Sequence, residues 1–192
     1  MCIRDRIELI SVHIPKTAGT AFRHVLTDVY GLNGVLGDYP PNQIYQPEIT
    51  PNPQRKVIHG HFLPSKYQGY FPTAKRIVWL RHPLFRLVSE YFFAKTINDR
   101  NNVIHAKLLD GNLSILEFAK IPQMRNVLCQ NIEETPLPQF DFVGIQEFYS
   151  QDLEDLKKMM GWKNFQPIVK NINRYPQSVS YTHLTLPTIY SV

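Results

Sequence analysis

The chain has 192 residues and a mass of 22.4 kDa, with 43% apolar residues, enough for one ordinary domain with a real core; a disordered or fibrous chain does not fit. Twenty-one Lys and Arg against 16 Asp and Glu give a net charge of +5, which favours anionic ligands without demanding nucleic acid. Cys2 and Cys129 cannot build a disulfide framework, and no C-x-x-C pair suggests zinc, so a reducing compartment fits.

The first six residues, Met-Cys-Ile-Arg-Asp-Arg, and the tail from Ser178 onward resemble translated adapter read-through and are excluded from fold reasoning. The expected domain is therefore 7–177, shortened at its C-terminal end. No apolar run is long enough to cross a bilayer and no secretion signal opens the chain, so as written it reads as soluble and cytoplasmic.

In chain order, Ile7 to Ile14 predicts a short strand ending at Pro15, and Lys16 to Thr20 a small-residue turn. Ala21, Phe22, Val25, Leu26 and Val29 then recur at helical spacing up to Gly31. Residues 31–53, rich in Gly, Pro and Asn, predict an irregular excursion. Val57 to Phe62 and Arg76 to Leu80 predict strands. Pro83 opens a helix whose apolar face is Leu84, Leu87, Val88, Tyr91 and Phe92, leaving Arg86, Ser89 and Glu90 elsewhere. Ser114 predicts a cap for a helix through Lys120, and a further helix is expected over 123–130. Phe140 to Ile145 reads as a strand, and Ser150 as the cap of a helix from Gln151 to Met160 ending at Gly161. This alternation predicts an α/β fold of three layers, P-loop-like, with a mainly parallel sheet flanked by helices.

Two strand-to-helix turns carry the chemistry. His13-Ile-Pro-Lys-Thr-Ala-Gly-Thr-Ala21 exposes backbone N–H groups at a helix start, with Lys16 as a point charge, hydroxyls on Thr17 and Thr20, and Gly19 permitting close approach. It departs from G-x-x-x-x-G-K-[ST], because the lysine precedes the turn and no glycine opens the loop; this argues against an ATPase or GTPase. Arg81-His-Pro-Leu-Phe-Arg86-Leu-Val-Ser89 repeats the strand-to-helix arrangement, with Arg81 placed to grip a phosphate and Ser89 two turns into the helix. Between them lies Val57-Ile-His59-Gly-His61-Phe62. Its spacing puts both imidazoles on one face, and the intervening Gly60 would let a substrate approach. A metal is not expected, since no third ligand follows at a recognisable interval. His13, His24, His82 and His105 read as structural or solvated.

Together the two turns resemble the cofactor signatures of sulfotransferases, in particular the carbohydrate 2-O-sulfotransferase branch with its P-K-T-x-x-T loop and R-[DH]-P-x-x-R-x-x-S segment. The resemblance spans about residues 9 to 175. It implies that Lys16, Thr17, Ala18, Gly19, Thr20 and Ala21 hold the 5′-phosphosulfate of 3′-phosphoadenosine 5′-phosphosulfate (PAPS), while Arg81 and Ser89 hold its 3′-phosphate. It further implies that the H-G-H segment supplies a histidine base, assigned to His59 with His61 auxiliary, and that Lys16 stabilises charge on the leaving phosphate. Phe142-Val-Gly-Ile-Gln-Glu147 is similar to the family's V-G-[VI]-x-E strand, and Arg174 of Asn171-Ile-Asn-Arg174 corresponds to a later cofactor contact. The implied activity is in-line transfer of a sulfuryl group to a hydroxyl acceptor, a carbohydrate in this branch, with no metal. Animal relatives are Golgi membrane proteins whose anchor would lie upstream of residue 1. The alternatives are a nucleotide or sugar kinase, which would need a Walker-type loop and a magnesium carboxylate not found here, and a non-catalytic PAPS- or anion-binding module. Nucleic-acid binding is not expected, because the basic residues form no stripe.

Overall fold

The computed structural model describes residues 7–39, 54–67, 69–97 and 99–163. Five strands, β1 (Leu9–Val12), β2 (Val35–Asp38), β3 (Val57–Gly60), β4 (Lys75–Leu80) and β5 (Phe142–Ile145), form one sheet in the order β2-β3-β1-β4-β5. All four pairings are parallel. The helices are α1 (Gly19–Tyr30), α2 (Pro83–Ile97), α3 (Val103–Asp110), α4 (Ile115–Lys120), α5 (Val127–Ile132) and α6 (Tyr149–Met160). This is the α/β arrangement of a parallel sheet between helices that the alternating pattern predicts.

Parallel strands covered on both faces need side chains that tolerate burial throughout, and every residue of β1 and β3 is buried. Successive residues of β1 serve opposite faces. Leu9 joins Val57, Ile77 and Trp79 against Phe22, Val25 and Leu26 of α1 and Leu153 and Leu156 of α6. Ile10 and Val12 face the other side with Ile58, Phe62, Phe71 and Val78, where Leu128 and Ile132 of α5 pack. A third cluster, Tyr91, Ala94, Leu108, Phe118 and Ile121, ties α2 to α3 and α4. No helix among the described residues is long and apolar enough to cross a membrane.

Several local expectations are met. Pro83 opens α2, and Ser114 and Glu117 form a reciprocal capping box at α4. Gly161 closes α6 in the left-handed conformation.

Other expectations are corrected. Residues 35–38, inside the expected irregular excursion, form the edge strand β2, whose Asp38 carboxylate accepts hydrogen bonds from Lys66 and Tyr67 at 2.7 Å each. Anchoring by distant side chains leaves no local signal. Helix α3 was not anticipated; the Asn102 side chain caps it by accepting from the N–H groups of Ile104 and His105. The helix expected over 123–130 is split into a turn at 122–124, opened by Pro122, and α5. Ser150 does not cap α6, which starts one residue earlier; Asp152 in that first turn instead accepts from the N–H of Ile145 at 2.6 Å, joining β5 to the helix. On α2, Arg86, Ser89 and Glu90 are buried rather than outside the packed surface.

Gly144 of β5 sits opposite Trp79 in the sheet, and a Cβ at residue 144 would lie 2.4 Å from the indole Cε3. The ring is 2% exposed and wedged against Tyr149, with centroids 4.6 Å apart, so it has nowhere to retreat. Gly144→Ala is expected to lower unfolding free energy by about 1–3 kcal/mol through overpacking, read from denaturant titration. An unchanged midpoint would contradict this packing.

Candidate active site

Because β1 and β4 are adjacent, with Val12 paired to Val78, the turns leaving their carboxyl ends emerge side by side. This is where open α/β sheets bind ligands. A cavity of about 450 Å³ lies there. The first turn contributes Lys16, Ala18, Gly19, Thr20 and Ala21 to its wall, and the second contributes Arg81 and Ser89; His61 also lines it. Among the expected site residues, Thr17 and His59 are absent from the wall, and Arg174 lies outside the described residues.

The first turn is held in an unusual backbone conformation. Lys16 and Ala18 both have positive φ, 69° and 67°, a region non-glycine residues seldom occupy and which raises the energy by roughly 1–3 kcal/mol per residue. Thr17 stabilises it from beneath: its buried hydroxyl donates to the Ile14 carbonyl at 2.9 Å, so that hydroxyl is committed within the loop. Ala18 occupies the N-cap of α1 and provides no side-chain cap, leaving the first-turn N–H groups free of a side-chain acceptor. Such a helix start suits an anion.

Arg81 joins the two turns. Its Nη1 donates to the Lys16 carbonyl at 3.2 Å, and its Nε is buried without a hydrogen-bond partner, 3.8 Å from a Glu147 oxygen. Glu147 also accepts from the His82 N–H at 3.1 Å. The Lys16 Nζ lies 3.7 Å from the Phe93 ring centroid. Burial pulls the lysine below its ordinary pKa; Glu90 counteracts this, while Arg81 and Arg86 reinforce it.

The histidines do not sit as expected. His59 is 1% exposed, with Nδ1 2.9 Å from the Ser11 hydroxyl and a buried Nε2 that has no hydrogen-bond partner of good geometry, although the Gly19 backbone is close. His13, read from sequence as structural or solvated, lines the cavity and stacks on both partners, 5.1 Å from His59 and 4.3 Å from His61. It also packs on the first turn so closely that a Cβ at residue 19 would meet its ring at 1.8 Å. Gly19 therefore makes room for an imidazole. Gly60 likewise admits a neighbour, since a Cβ there would lie 1.7 Å from the Asp38 carbonyl oxygen of β2; that face is filled by protein rather than open to a substrate. His61 donates from Nδ1 to the His13 carbonyl at 2.6 Å, which leaves Nε2 as the proton-accepting nitrogen.

Burial disfavours the imidazolium form in all three. It lowers His13 to about 2, helped by the neighbouring His59 and His61, and His59 to about 3; His61 is also lowered. All are neutral at pH 7. Among the described residues, no group of three or more His, Cys, Asp or Glu is arranged to hold a metal ion.

Sequence reasoning missed His13, Glu90, Phe93 and Gln146 in the wall. A signal existed for α2: Arg86, Ser89, Glu90, Phe93 and Ile97 follow helical spacing and define a second face beside the apolar one.

A model of the sulfotransferase family matches residues 1–130, and the chain belongs to that family. Among solved structures, mouse sulfotransferase SULT7A1 complexed with PAP matches at 14% identity with a TM-score of 0.41. The match covers 85% of this chain and 60% of that one, so the chain spans well under two thirds of its neighbour's length. No curated protein matches the chain.

The buried imidazoles have a consequence for stability. Their folded-state pKa values lie below the ordinary 6.5, so the unfolded chain binds more protons between that value and about 3. Stability is complete above about pH 6.5 and falls as pH drops, by up to about 1.4 kcal/mol per pH unit for each such group. Denaturant unfolding between pH 8 and 4 is expected to show this slope, and His59→Asn to flatten it by about one proton. A wild type equally stable at pH 7 and pH 5 would refute it.

Proposed function

We propose that this chain is a PAPS-dependent sulfotransferase acting on a hydroxyl group, with a carbohydrate as acceptor. The observation that carries the reading is the convergence of both anion-gripping turns and His61 on one cavity. The donor set suits PAPS on two grounds. The helix start at Ala18 has no side-chain cap, and Arg81 keeps a buried Nε with no hydrogen-bond partner. Bound there, PAPS supplies an activated sulfuryl group on a phosphate leaving group.

The chain's own residues do the rest. Backbone N–H groups from Ala18 to Ala21, with the Lys16 ammonium and the Thr20 hydroxyl, bind the 5′ side; Thr17 contributes through its backbone, because its hydroxyl is committed to Ile14. Lys16 neutralises charge developing on the leaving oxygen, a fixed cation that needs no reorganisation. Arg81 and Ser89 hold the 3′-phosphate, and the Arg81 bond to the Lys16 carbonyl sets the spacing between the two grips.

His61 serves as the base in place of His59. It lines the cavity, and the His13 carbonyl orients it with Nε2 free to accept the acceptor's hydroxyl proton. His59, buried behind His13, supports that arrangement through packing and its bond to Ser11.

Calorimetry with PAP and a sulfate-transfer assay test the assignment. His61→Ala should lower kcat by roughly 10²–10⁴-fold, the ordinary contribution of a positioned base, with PAP affinity nearly unchanged. Arg81→Ala should weaken PAP binding by about tenfold or more, the loss of a charge-assisted contact. Substantial turnover by His61→Ala would return the role of base to another group.

The pH dependence gives an independent check. His61 titrates below 6.5, so the acid limb of kcat/KM for PAPS should have its midpoint below that value, with no loss between pH 8 and 7 from this residue. An acid limb centred above pH 7 is incompatible with His61 as the base.

A further inference from the structure

The wall of the cavity contains a carboxylate that binding a sulfated nucleotide does not require. Glu90 is buried on α2, beside Ser89 and one turn before Phe93, and all three line the cavity. Its Oε1 lies 3.1 Å from His105 Nε2, while its Oε2 is 3.6 Å from Arg86 Nη1 and has no hydrogen-bond partner among the described residues. The other formally charged groups in the wall, Lys16 and Arg81, are cationic. Glu90 shares the cavity wall with Lys16 and His61 and acts electrostatically on both.

A carboxylate in that position opposes any anion that enters next to it, and a buried oxygen without a donor is a rare, unsatisfied acceptor. A ligand hydroxyl removes the second defect. The neighbouring Phe93 and Ile97 add an apolar surface of the kind that lies against the C–H face of a sugar ring. His105 engages Oε1 alone, so holding α3 to α2 leaves Oε2 facing the Arg86 guanidinium at 3.6 Å with no hydrogen bond among the described residues.

We propose that Glu90 selects the acceptor: it takes a hydrogen bond from an uncharged polyol, through a hydroxyl near the one deprotonated by His61, and excludes acceptors carrying a carboxylate or sulfate at that position. This rests on the sulfuryl-transfer reading above and narrows its substrate class from carbohydrates in general to neutral saccharides.

The test uses the full chain saturated with PAP. A neutral trisaccharide and the matched trisaccharide with one primary alcohol oxidised to carboxylate are titrated by NMR against the wild type, Glu90→Gln and His105→Gln. The wild type is expected to favour the neutral sugar by at least about tenfold, equivalent to 1.4 kcal/mol. Glu90→Gln should narrow the preference to within about threefold with PAP affinity no weaker, because only the charge opposing anions is lost.

His105→Gln, which disturbs the structural pair but keeps the carboxylate, should retain the preference; if it erases the preference as Glu90→Gln does, Glu90 is structural and the proposal falls. Equal binding of both sugars by the wild type, binding of neither, or an unchanged preference in Glu90→Gln also overturns it. Should Glu90→Gln fail to fold, Glu90→Asp must weaken binding of the neutral sugar while still discriminating against the acid, and failure on either count is fatal. Absence of PAP binding to the wild type is a different result: it removes the donor reading, and acceptor selection with it.

Discussion

A hydrogen bond from Arg81 to the carbonyl of Lys16 joins the two halves of the site. It can form because β1 and β4 are adjacent parallel strands in matched register, so the residues leaving their carboxyl ends meet above the sheet. The two segments are 65 residues apart in sequence, and neither contains enough to enclose a ligand. The buried sheet beneath supplies rigidity, and the bond ties two strand-to-helix turns into one cavity wall. Preorganisation of this kind reduces the ordering that binding must otherwise supply.

Local conformational energy is concentrated at the same place. Two left-handed residues within three positions, an uncapped helix start, an arginine whose Nε has Glu147 at 3.8 Å but no hydrogen bond, and a lysine lowered by burial all lie within the first turn and its neighbour. Each is unfavourable in isolation, and burial of the sheet on both faces is what offsets them. Most of them move in the same direction when an anion arrives: N–H groups gain an acceptor, Arg81 Nε gains a partner, and Lys16 gains an opposite charge. The imidazole stack is different, because burial holds its members neutral and an anion does nothing to recharge His59 behind the wall.

What was legible in the sequence follows the range of the interactions involved. The sheet strands β1, β3, β4 and β5 and the helices α1, α2, α4 and α6 announce themselves through apolar runs, helical periodicity, Pro83, the Ser114 cap and Gly161, all of them local. Strand β2 does not, because its place depends on Lys66 and Tyr67 holding Asp38 from almost thirty residues away. The same distinction separates the site residues. The two strand-to-helix turns are contiguous motifs, and their positions were readable. Which of His59 and His61 reaches the cavity was not, because both belong to one short segment and the outcome depends on where His13 from β1's end inserts between them. Gly60 shows the limit well: a glycine flanked by histidines suggests room for a substrate, yet the space is taken by the Asp38 carbonyl of a strand that had not been recognised.

Charge in the wall bears on what the cavity can hold. A site devoted to the nucleotide alone would be expected to use cations and N–H groups throughout, and the two turns do so. Helix α2 breaks that pattern one residue after Ser89, adding a carboxylate to the wall that His61 also lines and an aromatic ring one turn farther on. The helix therefore presents two adjacent polar residues of opposite character, Ser89 and Glu90, to one cavity. In the proposed reading, donor grip and acceptor choice fall to consecutive residues on one rigid element, so the relative placement of the two ligands would be set by the geometry of a helix rather than by a loop.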